Sequence, residues 1–169
     1  ARLAEARARG AQLAVLPELP LQAWCPATRT PRPEDAEPPN GPRARRMAQA
    51  AREAGLALLG GVIEVDAVTG RRHNTALLFD AEGHRRAAYR KAHVPNEEGF
   101  WEAVHYEPGD DPPEVAPLGS WTLGIQICSD ANRPEGCHIL GALGADAILC
   151  PRATPPESYD RWRCVLRAN

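Results

Sequence analysis

A cysteine, a glutamate and a lysine each follow closely after a predicted strand in this sequence. Cys128 follows the apolar run 121–127, and a helical pattern begins a few residues later at Arg133. A thiol on such a strand-to-helix turn lies where α/β sheets bind ligands, and a nearby helix amino terminus favours the thiolate. This position predicts a cysteine nucleophile, and a buried structural cysteine is the alternative that the segment alone leaves open.

Glu18 and Lys91 could supply the proton transfer and the positive charge that a thiol nucleophile needs. Glu18 follows the short predicted strand 13–16 in the sequence LAVLPEL, whose apolar residues indicate a buried carboxylate suited to acid–base work. Lys91 comes directly after the second strand of a predicted hairpin. The alternative for each residue taken alone is a solvated surface position.

The elements that must position these residues alternate between strands and helices, which predicts an α/β fold. Strands are predicted at 13–16, 56–65, 74–79, 85–89, 121–127 and 147–150, and helices at 2–9, 43–54, 133–144 and 157–169. Gly60 and Gly61 predict a bulge or a close backbone approach that interrupts their strand. Six prolines in 26–42 predict a long loop, either a disordered surface segment or the rim of a pocket.

Two segments of the chain resemble each other. Residues 10–18 and 144–152 both contain a helix end, a short strand, a proline and then a charged residue, which is Glu18 in the first and Arg152 in the second. If the match is not a coincidence, both strand ends open onto one crevice. Arg152 is then predicted to bind an acidic or carbonyl group of a substrate, and a surface arginine is the alternative.

Composition excludes several classes of partner. The chain has 169 residues and a net charge of -2, with arginines interleaved among acids, so neither nucleic acid nor an anionic membrane is an expected partner. No apolar run reaches membrane-spanning length. Five cysteines without a C-x-x-C pair predict reduced thiols in a cytoplasm. The five histidines lack zinc-type spacing, so no metal site is predicted.

Five motifs in this order resemble those of the nitrilase, or carbon-nitrogen hydrolase, superfamily. They are LAVLPEL, HNTALLFDAEG, YRKAHVP, YEPGD and GIQICSDANRPEG. The resemblance implies a catalytic triad of Glu18, Lys91 and Cys128. It also implies a further acidic residue, for which Glu102 is the best match. The alternatives to Glu102 are Glu97, Glu98 and Glu107.

The resemblance implies hydrolysis of an amide or N-carbamoyl bond, with no metal or organic cofactor. Glu18 would take the Cys128 proton and pass it to the departing amine, and it would later activate the water that hydrolyses the thioester. Lys91 and the backbone N–H of Ser129 would stabilise the oxyanion. The fold implied is a four-layer α-β-β-α sandwich that assembles as a homo-oligomer. Residues 1–169 are expected to be a single domain that is incomplete at both ends.

Residues after the cysteine refine the substrate that the resemblance implies. Ser129-Asp130 resembles the amide-cleaving branches, whereas nitrile-cleaving members usually have Trp and then Glu. Members that hydrolyse N-carbamoyl D-amino acids tend to have arginines where this chain has Ala131 and Asn132. These residues favour an amide or carbamoyl substrate other than an N-carbamoyl D-amino acid.

Three other functions remain open. One is a truncated, non-catalytic remnant that only binds a partner, and another is a nitrile-cleaving member. The third is a Cys-His hydrolase that uses His93 or His105, two residues that we otherwise expect to be structural. This last function would require an imidazole within hydrogen-bond reach of Cys128.

Overall fold

Two β-sheets form the centre of the fold, which a computed structural model describes for residues 2–169. The first sheet has the order β1-β2-β3-β4 and contains Leu13–Val15, Ala57–Val65, Arg72–Phe79 and Arg85–Arg90. The second has the order β5-β6-β7 and contains Val115–Leu118, Trp121–Ile125 and Ala147–Leu149. The α-helices are α1 (Arg2–Ala8), α2 (Pro42–Ala54), α3 (Glu102–His105), α4 (Pro134–Ala142) and α5 (Tyr159–Ala168).

Alternating apolar residues let the first sheet pack on both faces. Leu58 lies in a cluster with Met47 of α2, whereas its neighbour Leu59 lies in the cluster that joins the two sheets. On the second sheet, α4 packs against β6: a Cβ added at Gly124 would lie 2.9 Å from a methyl carbon of Leu140. The layers therefore follow the order helix, sheet, sheet, helix, which confirms the predicted α-β-β-α architecture.

The predicted interruption at Gly60 and Gly61 is wrong. Strand β2 runs without a break, and both glycines pair with β3 in regular antiparallel register. The expected close approach is present, however, because a Cβ at Gly60 would collide with the sulfur of Met47. Glycine is therefore needed here for packing against α2 rather than for a bend in the strand.

The proline-rich segment 26–42 contains local structure that its composition does not predict. Two 3₁₀ turns lie here, Cys25–Ala27 and Pro33–Asp35. Glu37 then pairs with β2, because its N–H donates to the Ile63 carbonyl over 2.9 Å. The Glu37 carboxylate also accepts the first free N–H groups of α2, from Arg43 and Ala44. The end of the loop is thus fixed to both β2 and α2.

The carboxyl ends of several strands meet at one edge of the fold. Strand β1 is parallel to β2. Strand β4 runs in the same direction as β2, because β3 lies between these two strands and is antiparallel to each of them. Strand β6 is parallel to β7. The two sheets are joined at this edge, where the N–H of Ala153 donates to Oε2 of Glu18 over 3.4 Å. Glu18, Lys91 and Cys128 follow β1, β4 and β6 respectively.

No helix within residues 2–169 combines the length and the apolar character needed to cross a membrane.

Candidate active site

Lys91 lies between two carboxylates in the interior of the protein. Its Nζ is 2.8 Å from Oε1 of Glu18 and 2.5 Å from Oε2 of Glu102, and all three side chains are 0% exposed. Burial alone would lower the pKa of Lys91, but the adjacent charges of Glu18 and Glu102 outweigh burial and raise it. The lysine is therefore a fixed positive charge at neutral pH.

Two polar side chains that the sequence analysis missed hold these carboxylates. The Asn74 amide donates to Oε1 of Glu18 over 2.8 Å and to the Tyr106 hydroxyl over 3.2 Å. Tyr106 in turn donates a short hydrogen bond to Oε2 of Glu102. The signal that could have found Asn74 is a fully buried amide in an otherwise apolar strand, because such a group needs polar partners.

Cys128 lies on a tight turn directly beyond β6. Its backbone φ is +46°, a left-handed conformation that costs non-glycine residues on the order of 1–3 kcal/mol and is held by surrounding contacts. One such contact is the hydrogen bond from its N–H to the Pro151 carbonyl, 3.0 Å long. The residue is 4% exposed. This turn carries the thiol away from the direction of β6 and towards the strand ends.

Helix α4 begins at Pro134, one residue from the predicted start, and residues Cys128–Asn132 form a 3₁₀ turn before it. The Cys128 pKa is nevertheless not lowered, which is opposite to the expected effect of a helix amino terminus. Burial, followed by the negative charge of Glu18, raises the pKa of Cys128, and the opposing effect of Lys91 does not compensate. The resting side chain is a neutral thiol, so its use as a nucleophile requires a base.

Asp130 connects the Lys91 segment to the Cys128 turn. One carboxylate oxygen accepts the N–H groups of Ala92 and His93, over 3.2 and 2.7 Å. The other accepts the N–H of Ile127 and the hydroxyl of Tyr89, each over 3.0 Å. Asp130 therefore fixes the residue before Cys128 relative to the residues after Lys91.

A cavity of about 250 Å³ opens beside the thiol. It is lined by Pro95, Glu97, Phe100, Glu102, Cys128, Ser129, Asn132, Thr154, Pro155, Ser158, Arg161 and Trp162. Within residues 2–169, Oε1 of Glu102 has no hydrogen-bond partner although it is buried. A larger cavity of about 640 Å³ lies elsewhere, along β1 and β7, and it contains none of the predicted catalytic residues. The smaller cavity is therefore the candidate substrate site, because Cys128 and Glu102 line it.

Arg152 follows β7 but is not among the residues that line this cavity. Its guanidinium carbon lies 4.7 Å from the centre of the Trp162 ring, in a cation–π contact. Trp162 itself lines the cavity, and Nη1 of Arg152 is buried without a partner in the described chain. Substrate binding by Arg152 stays a prediction.

The histidines and the alternative acids lie in other surroundings. Nδ1 of His93 is 3.0 Å from Asp130, and Nε2 of His105 is 2.7 Å from the Thr28 carbonyl, so neither imidazole forms a hydrogen bond with Cys128. Glu107 pairs at the surface with Arg71. Glu97 lines the cavity, but the acid in contact with Lys91 is Glu102. This geometry gives no support to a Cys-His pair.

The family model described as Carbon-nitrogen hydrolase matches residues 2–169, which is the whole of the described chain. The chain belongs to the carbon-nitrogen hydrolase family. Its recognition from five short motifs is thereby confirmed.

Similar proteins within the carbon-nitrogen hydrolase family include amidases. An N-carbamoylputrescine amidase from Arabidopsis thaliana is 30% identical over 174 residues, which cover 98% of this chain and 58% of that protein. A protein described as "Hydrolase in pqqF 5'region", from Pseudomonas protegens, is 38% identical over 120 residues, or 70% of this chain and 40% of that one. The chain spans about half the length of the curated relatives it matches.

Solved structures of carbon-nitrogen hydrolases share the fold. The carbon-nitrogen hydrolase from Helicobacter pylori G27 has a TM-score of 0.88 at 24% identity, over 99% of this chain and 61% of that chain. A mutant amidase from Nesterenkonia sp. AN1 has a TM-score of 0.75 at 27% identity, over 93% of this chain and 60% of that chain. That structure shows the result of Michael addition of acrylamide at the active-site cysteine of the amidase.

Proposed function

We propose that the protein hydrolyses the carbon–nitrogen bond of an amide or N-carbamoyl compound through a thioester on Cys128. The observation that carries this proposal is the contact of Lys91 with both Glu18 and Glu102 beside a buried neutral thiol. The three charges lie close enough to Cys128 to influence its ionisation. Cys128 and Glu102 line the cavity that would hold a small substrate, and the proposed base and cation belong to the buried cluster that contains Glu102.

Glu18 is proposed as the base for the first step. As the Cys128 sulfur attacks the substrate carbonyl, the S–H bond breaks and the proton moves to Glu18 while a C–S bond forms. When the tetrahedral intermediate collapses, the C–N bond breaks and the departing nitrogen takes that proton. Water then gives a proton to Glu18 and attacks the thioester, which releases the acid and restores the thiol.

Lys91 and the turn after Cys128 are proposed to stabilise the oxyanion. The Lys91 ammonium supplies a fixed positive charge, and the N–H of Ser129 lies in the first turn of a 3₁₀ segment, where amide hydrogens lack partners within the segment. Loss of one such donor typically costs about 3 kcal/mol of transition-state stabilisation. Ser129 also fixes its own position, since its hydroxyl donates to the His93 carbonyl over 2.5 Å.

Glu102 is proposed to orient the substrate nitrogen. Its Oε2 is engaged by Lys91 and Tyr106, whereas Oε1 is buried, unpartnered and on a residue that lines the cavity. An amide or carbamoyl N–H could donate to this oxygen, and a nitrile has no such hydrogen. This difference favours an amide-type substrate, in agreement with the Ser129-Asp130 pair and with the amidases among the relatives.

The remaining expectations about the whole protein are also proposals. We propose a homo-oligomer with a small-molecule substrate, no organic cofactor, no nucleic-acid or membrane partner and a cytoplasmic location. Apolar residues on and beside the outer helices support an assembly: Ile139 of α4 and Leu143, directly after α4, are 45% and 49% exposed, and Leu166 of α5 is 50% exposed. The oligomeric state can be checked by light scattering on the purified protein.

A substrate panel tests the proposed reaction class. Purified protein is incubated with primary amides, N-carbamoyl amines and aliphatic or aryl nitriles, and ammonia or amine release is measured for the wild type, for Cys128→Ala and for the exposed control Cys164→Ala. We expect turnover of an amide or carbamoyl compound by the wild type and by Cys164→Ala only. A nitrile turned over with a higher kcat/KM than every amide or carbamoyl compound would contradict the proposal.

A further inference from the structure

A second cluster of reactive side chains lies outside the candidate active site. Cys25, Asp35 and His105 each contribute one atom, a sulfur, a carboxylate oxygen and a ring nitrogen, and these three atoms lie within 4.8 Å of one another. The residues are 8%, 4% and 2% exposed. They come from the two 3₁₀ turns of the proline-rich loop and from the end of α3. Sulfur, imidazole nitrogen and carboxylate oxygen are the ligand types that zinc takes in proteins.

His105 has the hydrogen-bond arrangement of a metal-binding histidine. Its Nε2 lies 2.7 Å from the Thr28 carbonyl oxygen, which can only accept, so Nε2 carries the hydrogen of the neutral ring. Its Nδ1 is buried and has no partner in the described chain. A carbonyl that accepts a hydrogen bond from one ring nitrogen, and so leaves the lone pair of the other nitrogen free for a metal, is typical of histidine ligands.

The surroundings of Asp35 and Cys25 also suit a cation. Each Asp35 oxygen accepts one hydrogen bond from Arg32, through the backbone N–H and through Nη2, which leaves further lone pairs free for a metal. The Arg32 side chain is 56% exposed, so solvent screens its charge. The Gln22 side-chain NH₂ group donates to the Cys25 sulfur over 3.6 Å, and Gln22 Oε1 is a second buried polar atom without a partner in the described chain.

We propose that Cys25, Asp35 and His105 form a binding site for a divalent transition-metal ion of the zinc type. Zn²⁺ would bind the Cys25 sulfur, Nδ1 of His105 and one oxygen of Asp35, with water or the Gln22 amide oxygen as the fourth ligand. As the Zn–S bond forms, the S–H bond breaks and its proton passes to the buffer. Ligands of a tetrahedral zinc are about 3.4–3.7 Å apart, so the three ligand atoms, which lie within 4.8 Å of one another, need to close by at most roughly 1 Å.

The site has a route of entry and a structural consequence. Residues Ala27 to Glu34, between the two turns, are exposed, so the ion can approach through this loop. Bound metal would fasten the loop to α3, the helix that begins with Glu102 and ends with His105. The proposal does not rest on the proposed hydrolase activity, because none of its three ligands contacts Lys91 or lines the active-site cavity.

Co²⁺ and Zn²⁺ binding to the purified protein tests the site. All variants carry Cys128→Ala, which removes the active-site thiol as a competing ligand. With Co²⁺ we expect a thiolate charge-transfer band and tetrahedral d–d bands that saturate at one equivalent, and Zn²⁺ should displace them. Cys25→Ser and His105→Ala should weaken Zn²⁺ binding at least tenfold, whereas the exposed controls Cys164→Ser and His84→Ala should not.

Two further measurements keep the test decisive if a cluster variant unfolds. Zn²⁺ should slow alkylation of Cys25 relative to Cys164 in the Cys128→Ala protein, as mapped by mass spectrometry. Its apparent affinity should rise about tenfold per pH unit near pH 7, because one thiol proton is released. Equal alkylation rates with and without Zn²⁺, or unchanged affinity in a folded Cys25→Ser variant, would overturn the proposal.

Discussion

Lys91 Nζ lies 2.5 Å from Oε2 of Glu102, and neither side chain is exposed to solvent. Because Lys91 also contacts Glu18, one cation faces two carboxylates in the protein interior. A buried charge is stable only when it is paired, and removal of one partner leaves the others uncompensated. The stability and the chemistry of the site therefore depend on the same lysine.

Replacement of this lysine is expected to affect both properties. Lys91→Met should lower the free energy of unfolding by about 3–5 kcal/mol at pH 7, because two buried carboxylates lose their cation. The same substitution should lower kcat about 10²–10³-fold, because the oxyanion of the transition state loses the positive charge that stabilises it. The Lys91 charge limits the rise that burial causes in the pKa of Glu102, so without this charge that pKa rises further and the variant should regain stability as the pH falls. Urea denaturation from pH 5 to 8 measures the free energy of unfolding of the variant and of the wild type. A destabilisation of less than about 1 kcal/mol at every pH would contradict this expectation.

Asp130 is expected to position the catalytic residues without contact to the substrate. Asp130→Asn puts an NH₂ group opposite N–H or O–H donors, which should destabilise the protein by about 3 kcal/mol and lower kcat more than it changes KM. The control is Asp160→Asn, since the Asp160 side chain is 89% exposed and should tolerate the change within about 0.5 kcal/mol. Equal stability and equal kcat of the two variants would show that Asp130 has no such role.

Asn74 is expected to tune Glu18 through the hydrogen bond between them. Asn74→Leu keeps the approximate volume but removes the donor to Oε1 of Glu18, which should lower kcat about tenfold with little change in KM, because the carboxylate loses a hydrogen bond that holds its position. A purely structural role for Asn74 would lower stability and leave kcat of the folded protein unchanged. Steady-state kinetics and urea denaturation of the same variant distinguish the two outcomes.

Buried thiols are expected to make the protein less stable at alkaline pH. Burial raises the pKa of Cys150 to about 11, whereas a thiol in the unfolded chain titrates near about 8.5. The contribution of the Cys150 thiol to the free energy of unfolding is complete at pH values below its pKa in the unfolded chain. This contribution is lost as the pH rises towards its pKa in the folded protein, by at most about 1.4 kcal/mol per pH unit.

The matched comparison for this effect is Cys150→Ala against Cys164→Ala, an exposed cysteine. With a metal chelator present, the free energy of unfolding between pH 8.5 and 10.5 should fall less steeply in Cys150→Ala than in Cys164→Ala. Identical slopes would contradict the assignment, whatever the absolute stabilities of the two proteins.

The proposed catalytic residues are recognisable in the sequence because each lies in a short motif next to a strand end. Lys91 has a further distinguishing feature: it is the only lysine in the chain, and the other basic residues that carry a permanent charge are arginines. Strand β5 was missed, since Val115–Leu118 is only four residues long and contains a proline.

Features that depend on contacts between distant segments could not be read from local patterns. Burial and the charge of Glu18, 110 residues earlier in the chain, raise the pKa of Cys128, and the local strand-to-helix pattern contains no sign of either effect. Likewise, Tyr106 and Asn74 meet across 32 residues of sequence. The Cys25, Asp35 and His105 cluster has no zinc-type spacing, because His105 lies 80 residues beyond Cys25.

Cys128 is proposed to carry the acyl group during turnover. The most direct measurement is rapid acid quenching during hydrolysis of the best substrate from the panel, followed by mass spectrometry of the intact protein and its peptides. The account predicts an acyl mass on the Cys128 peptide of the wild type and of Cys164→Ala, removed by hydroxylamine as expected of a thioester. Continued turnover by Cys128→Ala, or an acyl group on another residue, would contradict it.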